Sequence, residues 1–127
     1  MELKDQVASL DPSKRLRELG EPQGSIWYWV PRSRKAIKSG HYLIEKTYRK
    51  HYFERDSKDV YSALTVAELG ERLPKHGYII LWSDSTQKWL LTHYRMDEWS
   101  FEADTEANAR AKMLIHLREK GIVKVGG

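Results

Sequence analysis

The sequence predicts an α+β domain: an antiparallel sheet of about five strands carrying three helices mainly on one face. Three observations lead there. Three segments begin and end on helix caps. The stretches between them are short, apolar or alternating, and strand-like. The resulting order is α, β, β, α, β, β, β, α. With 127 residues the chain is one domain, 1–127, long enough to bury its own core, and a basic loop and strand form an insertion around 31–60.

The first helix is D-P-S-K-R-L-R-E-L-G. Asp11 suits the N-cap, Pro12 the first helical position and Gly20 the residue just past the end. Leu16 and Leu19 supply a narrow apolar stripe. S-I-W-Y-W-V (25–30) then reads as a strand, with Trp27 and Trp29 on one face and Ile26, Tyr28 and Val30 on the other. The next strand lies within 41–53, with Tyr42, Ile44, Tyr48 and Tyr52 at even positions. Glu54–Asp59 reads as a charged turn.

The second helix is L-T-V-A-E-L-G-E-R-L-P. Thr65 and Glu68 form a capping box, Leu64 can staple onto Leu69, and Pro74 stops it. Y-I-I-L-W and K-W-L-L-T-H-Y make a hairpin across S-D-S-T-Q. Both arms are apolar on both faces, so they are expected in a central position, covered on each side. E-W-S-F-E-A alternates, with Trp99 and Phe101 on one face. The last helix follows Asp104 or Thr105 as cap and ends at Gly121, with Ile122 placed to contact Leu117. Its stripe is Ala107, Ala111, Leu114, Ile115 and Leu117, and the alanines permit close approach to a sheet.

The chain has no cysteine, which excludes disulfides, thiolate metal sites and cysteine nucleophiles. No apolar run is long enough for a transmembrane helix, and the N-terminus lacks the order of a signal peptide, so a soluble intracellular protein without membrane partners is expected. The five histidines, 41, 51, 76, 93 and 116, include no pair at i, i+4 on a helix. His116 reads as a half-buried or surface side chain. Phosphate-loop, dinucleotide, nucleophile-elbow and kinase signatures are absent. Asp84 and Asp97 are candidate carboxylates, but both sit in turns, where Asp is favoured for backbone reasons. The expectation is a non-enzymatic protein without cofactor or metal.

Two features point to binding. The net charge of +4 is concentrated in one segment. From Arg32 to Lys50 there are seven Lys/Arg (32, 34, 35, 38, 46, 49, 50) against one acid, Glu45. Such a patch suits an anionic ligand, and it equally suits a solvated loop and a protected edge strand. The second feature is aromatic surface. Whichever face of 25–30 meets the helices, the other stays apolar, and Trp82, Trp89 and Tyr94 extend it. A patch of that size calls for cover: another subunit, a ligand, or the chain's own basic segment. A nucleobase stacks on Trp27, Trp29, Trp82 or Trp89, and Arg32, Arg34, Lys46 and Arg49 can hold phosphates. A closed pocket would take a nucleotide-like small molecule; an open groove would take single-stranded nucleic acid.

Three blocks, S-L-D-P-S-K-R-L-R-E-L-G-E-P-Q-G-S-I-W-Y-W-V, Y-S-A-L-T-V-A-E-L-G-E-R-L-P and E-A-D-T-E-A-N-A-R-A-K-M-L-I-H-L-R-E-K-G-I-V, resemble a family of small uncharacterised phage and prophage proteins. They cover about half the chain in the family's order and spacing, whereas Pro31–Tyr61 is longer and more basic. The resemblance implies a phage or prophage protein acting in the bacterial host cytoplasm, and no catalytic residue. Small phage accessory proteins of this kind often counter host defence, in one mode by sequestering a nucleotide-derived signal. The expectation is therefore a homo-oligomeric, anti-defence protein that binds a small nucleotide-like anion. The alternatives are nucleic-acid binding through 32–50 and protein–protein inhibition of a host factor.

Overall fold

The computed structural model describes residues 2–31, 40–45, 60–74, 77–93 and 99–121. After a 3-10 turn at Leu3–Asp5 come α1 (Leu10–Glu18), β1 (Trp27–Pro31), β2 (His41–Glu45), β3 (Tyr61–Ser62), α2 (Val66–Arg72), β4 (Tyr78–Ser83), β5 (Lys88–His93), β6 (Ser100–Ala103) and α3 (Glu106–Glu119). The α+β class is as expected, but there is no single sheet of five strands. Two antiparallel three-stranded sheets form, ordered β2-β1-β3 and β4-β5-β6. Alternation within a strand reports which face is buried, not which strand lies beside it, so the division is invisible in the pattern. β3 was not expected at all. Two residues are too few to show a period, and it exists because Tyr28 and Trp29 pair with Ser62 and Tyr61. The expected turn at 54–59 and most of the basic insertion lie outside the described residues.

Each sheet is centred on one strand. β1 pairs with β2 from Trp27↔Glu45 to Pro31↔His41. β5 pairs with β4 from Tyr78↔His93 to Ser83↔Lys88, and with β6 from Trp89↔Ala103 to Thr92↔Ser100. Thus β4, expected to be central, is an edge strand among the described residues. Its inner row is Tyr78 and Ile80, facing the core, and its outer row, Ile79 and Leu81, is exposed.

The helices join the sheets. α3 packs against α1, α2, β5 and β6, and α1 also reaches β3. Ala107, Ala109, Ala111, Met113, Leu114 and Leu117 are all buried, a broader face than the expected stripe because the helix is contacted from several sides. Small residues at 107, 109 and 111 let those neighbours approach. Thr65 and Glu68 form the expected capping box, with both reciprocal bonds present. Ala8 N–H donates to Leu64 O at 2.8 Å and Val66 N–H to Gln6 O at 3.1 Å, which ties the N-terminal segment to that cap.

The start of α1 differs from expectation. Ser9, not Asp11, is the N-cap, and the helix begins two residues earlier than expected, at Leu10. Ser9 makes no capping bond of its own. Asn108 of α3 accepts from Ser9 N–H at 2.8 Å and donates to Ser9 Oγ at 2.7 Å. A partner 99 residues away thus sets this boundary, which local sequence does not contain. The end of α1 is as expected: Gly20 adopts φ +86°, Gly20 N–H bonds Arg17 O and Glu21 N–H bonds Leu16 O, a Schellman ending. At the end of α3, Gly121 has φ +71°, while the anticipated Ile122 contact lies outside the described residues.

The Schellman turn delivers Glu21 into the protein. Its side chain is 1 % exposed and meets Arg72 of α2 at 2.7 Å and Arg118 of α3 at 2.6 Å. Arg72 also donates to the carbonyls of Pro22 and Gly24. Three helices converge on one carboxylate.

Removing the α2 cap should be felt globally, because that cap also anchors the N-terminal segment. Thr65→Ala is expected to cost about 1 kcal/mol in urea unfolding, and Thr65→Ser to restore most of it.

Candidate functional site

The aromatic residues expected to bind a ligand fall in two places. Trp27 and Trp29 lie on one face of β1, in the first sheet, and Trp82 and Trp89 face each other across β4 and β5, in the second. Arg32, Arg34, Lys46 and Arg49, expected to hold phosphates, lie outside the described residues, as do Tyr94 and Asp97.

In β1, Tyr28 and Val30 are buried with Ile44 and Val60, and Tyr42 packs on them. The opposite face carries Trp29, whose register partners are Leu43 and Tyr61. Trp29 Nε1–H donates to Ala8 O at 2.8 Å. Tyr61 lies beneath Lys14 Nζ and the Arg17 guanidinium of α1, 5.9 and 5.7 Å from the ring centre. The second apolar face of 25–30 is therefore met, at Trp29 and Tyr61, by the chain's own N-terminal segment and α1. Trp27 remains half-buried.

The second sheet carries an aromatic row toward α3. Tyr78 and His93 are edge-to-face at 5.1 Å, His93 and Trp99 at 5.2 Å, and His116 sits 5.3 Å from Phe101 and 6.3 Å from Trp99. His116 is thus the half-buried histidine anticipated, part of the packing between α3 and the sheet. Nearer the hairpin turn, Trp82 and Trp89 meet edge-to-face at 5.5 Å. Trp82 Nε1–H donates to Asp84 Oδ1 at 3.0 Å, which gives that turn carboxylate a structural task. Even so, Trp82 is 44 % exposed. The indole is held by an edge contact and a hydrogen bond while part of its ring surface stays open.

Two concavities adjoin this sheet. One, of about 480 Å³, lies where the N-terminal ends of α1 and α3 meet β5 and β6, with Asp11, Glu102 and Asp104 opposing Lys88 and Lys112. Lys112 Nζ already donates to Glu102 O at 2.6 Å. Charges of both signs there leave no clear preference for an anion. The other, of about 320 Å³, lies between α2 and the inner face of β4 and β5, and includes Tyr78 and Arg110. Neither Tyr78 nor Arg110 stood out in the sequence. The available signal was Gly70, a glycine inside α2, where it costs about 1 kcal/mol against alanine and needs a reason. Among the described residues no group of three or more His, Asp or Glu side chains could hold a metal ion, and no helix is long and apolar enough to cross a membrane.

Compared with known protein families, curated proteins and solved structures, the chain matches none. The site must therefore be argued from its own chemistry.

The two tryptophan environments give opposite expectations. Trp29→Phe removes the bond to Ala8 O and should cost about 1–2 kcal/mol in urea unfolding. Trp82→Phe, at an exposed edge, should change stability by no more than about 0.5 kcal/mol.

Proposed function

We propose that this chain is a non-enzymatic phage accessory protein that binds and sequesters a small nucleotide-derived signal, acting as a homo-oligomer in the bacterial cytoplasm. The observation that carries the reading is Trp82, held by Asp84 and Trp89 yet 44 % exposed. A base laid on such a ring gains about 1–3 kcal/mol, and little ordering entropy is spent because the indole is already oriented. Lys88, exposed at the other end of the same hairpin turn, supplies one cation. In this reading Arg32, Arg34, Lys46 and Arg49 supply the others. Trp89 backs the platform, while Trp27 and Trp29 form a second aromatic element in which Trp29 is already engaged with Ala8.

A second reading, a protein interface, is favoured by the outer row of β4. Among the described residues Tyr78–Ser83 is an edge strand with no charged residue, and Ile79 and Leu81 are about half exposed. Edge strands that stay apart usually carry charge, proline or a bulge. A second copy or a host protein could add to this edge, and the former would give the proposed oligomer.

Native mass spectrometry of the purified protein with linear and cyclic nucleotides and ADP-ribose derivatives tests the first reading. The expected result is a discrete adduct of unmodified ligand mass on an oligomer, lost in Trp82→Ala. A released, chemically altered ligand would make the protein an enzyme. A protein that ignores the panel but binds oligonucleotides with steeply salt-dependent affinity would be a nucleic-acid binder.

A further inference from the structure

The 320 Å³ cleft beneath α2 has a donor set of its own. Arg110 of α3 donates its Nε–H to Glu106 Oε2 at 3.0 Å, an i,i+4 pair. That bond uses one edge of the guanidinium and leaves the two Nη groups without an acceptor among the described residues. Gly70 leaves room for one of them. A Cβ at this position would come within 2.7 Å of Arg110 Nη1, so the fork rests against α2 at the one place where its surface has no side chain. Tyr78 forms another wall. Its hydroxyl is buried and has no hydrogen-bond partner, and burial raises its pKa above the usual 10.0, so it remains a proton donor at neutral pH. Leu73, Pro74, Ile80 and Leu91 complete the lining with apolar surface.

The partly exposed Arg110 lines the cleft, and the Tyr78 hydroxyl is a buried donor without an acceptor, which is costly unless something accepts from it. The charge balance says what. Arg110 is paired with Glu106, so the site carries no surplus of positive charge for a phosphate dianion or a polyphosphate. A single carboxylate matches the planar Nη edge with two parallel hydrogen bonds. The volume lies at the small end of ligand pockets, about 300–1,000 Å³, and suits one ring or a short branched chain. Tyr78 lines the cleft with its hydroxyl buried and unpaired, and a reorientation of the whole side chain on binding would let it donate to the same carboxylate.

We propose that the cleft lined by Gly70, Tyr78 and Arg110 binds a small monocarboxylate with an apolar body. This site lies at the opposite end of β4 from Trp82 and stands whether or not the nucleotide reading does.

Titration with benzoate, followed by backbone amide NMR, tests it, with benzyl alcohol and inorganic phosphate as controls. Saturable shifts are expected at Gly70, Tyr78, Ile80 and Arg110. Benzyl alcohol should bind at least about tenfold more weakly, since it lacks the charge-assisted pair. Arg110→Gln should weaken benzoate by about tenfold or more, and Gly70→Ala should do the same by displacing the fork, both with the far-ultraviolet circular dichroism of the parent. Tyr78→Phe should weaken benzoate several-fold, by roughly the worth of one hydrogen bond, while leaving the protein at least as heat-stable. The proposal fails if benzoate does not saturate, if its shifts map elsewhere, if benzyl alcohol or phosphate binds as well, or if Arg110→Gln binds it unchanged. Should that variant not fold, the comparison of benzoate with benzyl alcohol on the parent protein decides.

Discussion

The fold depends on one buried carboxylate. Glu21 lies just past the end of α1, yet it bonds to α2 through Arg72 and to α3 through Arg118. Charge-assisted bonds to two guanidiniums are among the strongest polar contacts available, and removing one partner from such a group leaves charge stranded in a low-dielectric interior. The arrangement also requires geometry. Glu21 points inward because Gly20 takes a left-handed conformation and closes a Schellman turn, so a local helix-ending rule has a global consequence. Leu16, Leu69, Met113, Leu114 and Leu117 are among the most fully buried side chains of the core.

The helical layer matters because, among the described residues, the two sheets share no strand pairing. The first sheet communicates with the rest through the packing of β3 on α1, the bond from Trp29 to Ala8 and the backbone bond from Ala63 N–H to Trp27 O. β5 and β6 reach it through α3. Ser9 and Asn108 fix the N-terminal ends of α1 and α3 to each other, while Glu21 and Arg118 fix their C-terminal ends. Trp82, on the outermost strand of the second sheet, is therefore held on a packed base without belonging to the core. The proposed binding surface would thus be supported by the scaffold without being needed for its stability.

Much of this was legible in the residues. Thr65 and Glu68 announced α2, Gly20 and Gly121 marked the ends of α1 and α3, and the S-D-S-T-Q turn marked the hairpin, since each rests on chemistry within a few residues. The unread parts are long-range. The Ser9 cap depends on Asn108, the two-residue β3 depends on β1, and the two-sheet division depends on which helix lies between strands. The aromatic surface was visible as composition, but not its division into a Trp29 turned toward Ala8 and a Trp82 left open. Arg110 looked like one more cation on a helix. What distinguishes it is Gly70 on a neighbouring helix, and proximity between those two positions is a product of the fold.

The most direct test of this account is native-state hydrogen exchange on Glu21→Gln beside the parent protein. If Glu21 locks the helical layer, the variant loses about 3–5 kcal/mol, and the slow amides at the end of α1, in α2 and in α3 lose protection together. A loss below about 1 kcal/mol, or one confined to the Glu21–Ser25 turn, would contradict it and make the carboxylate a local feature of that turn.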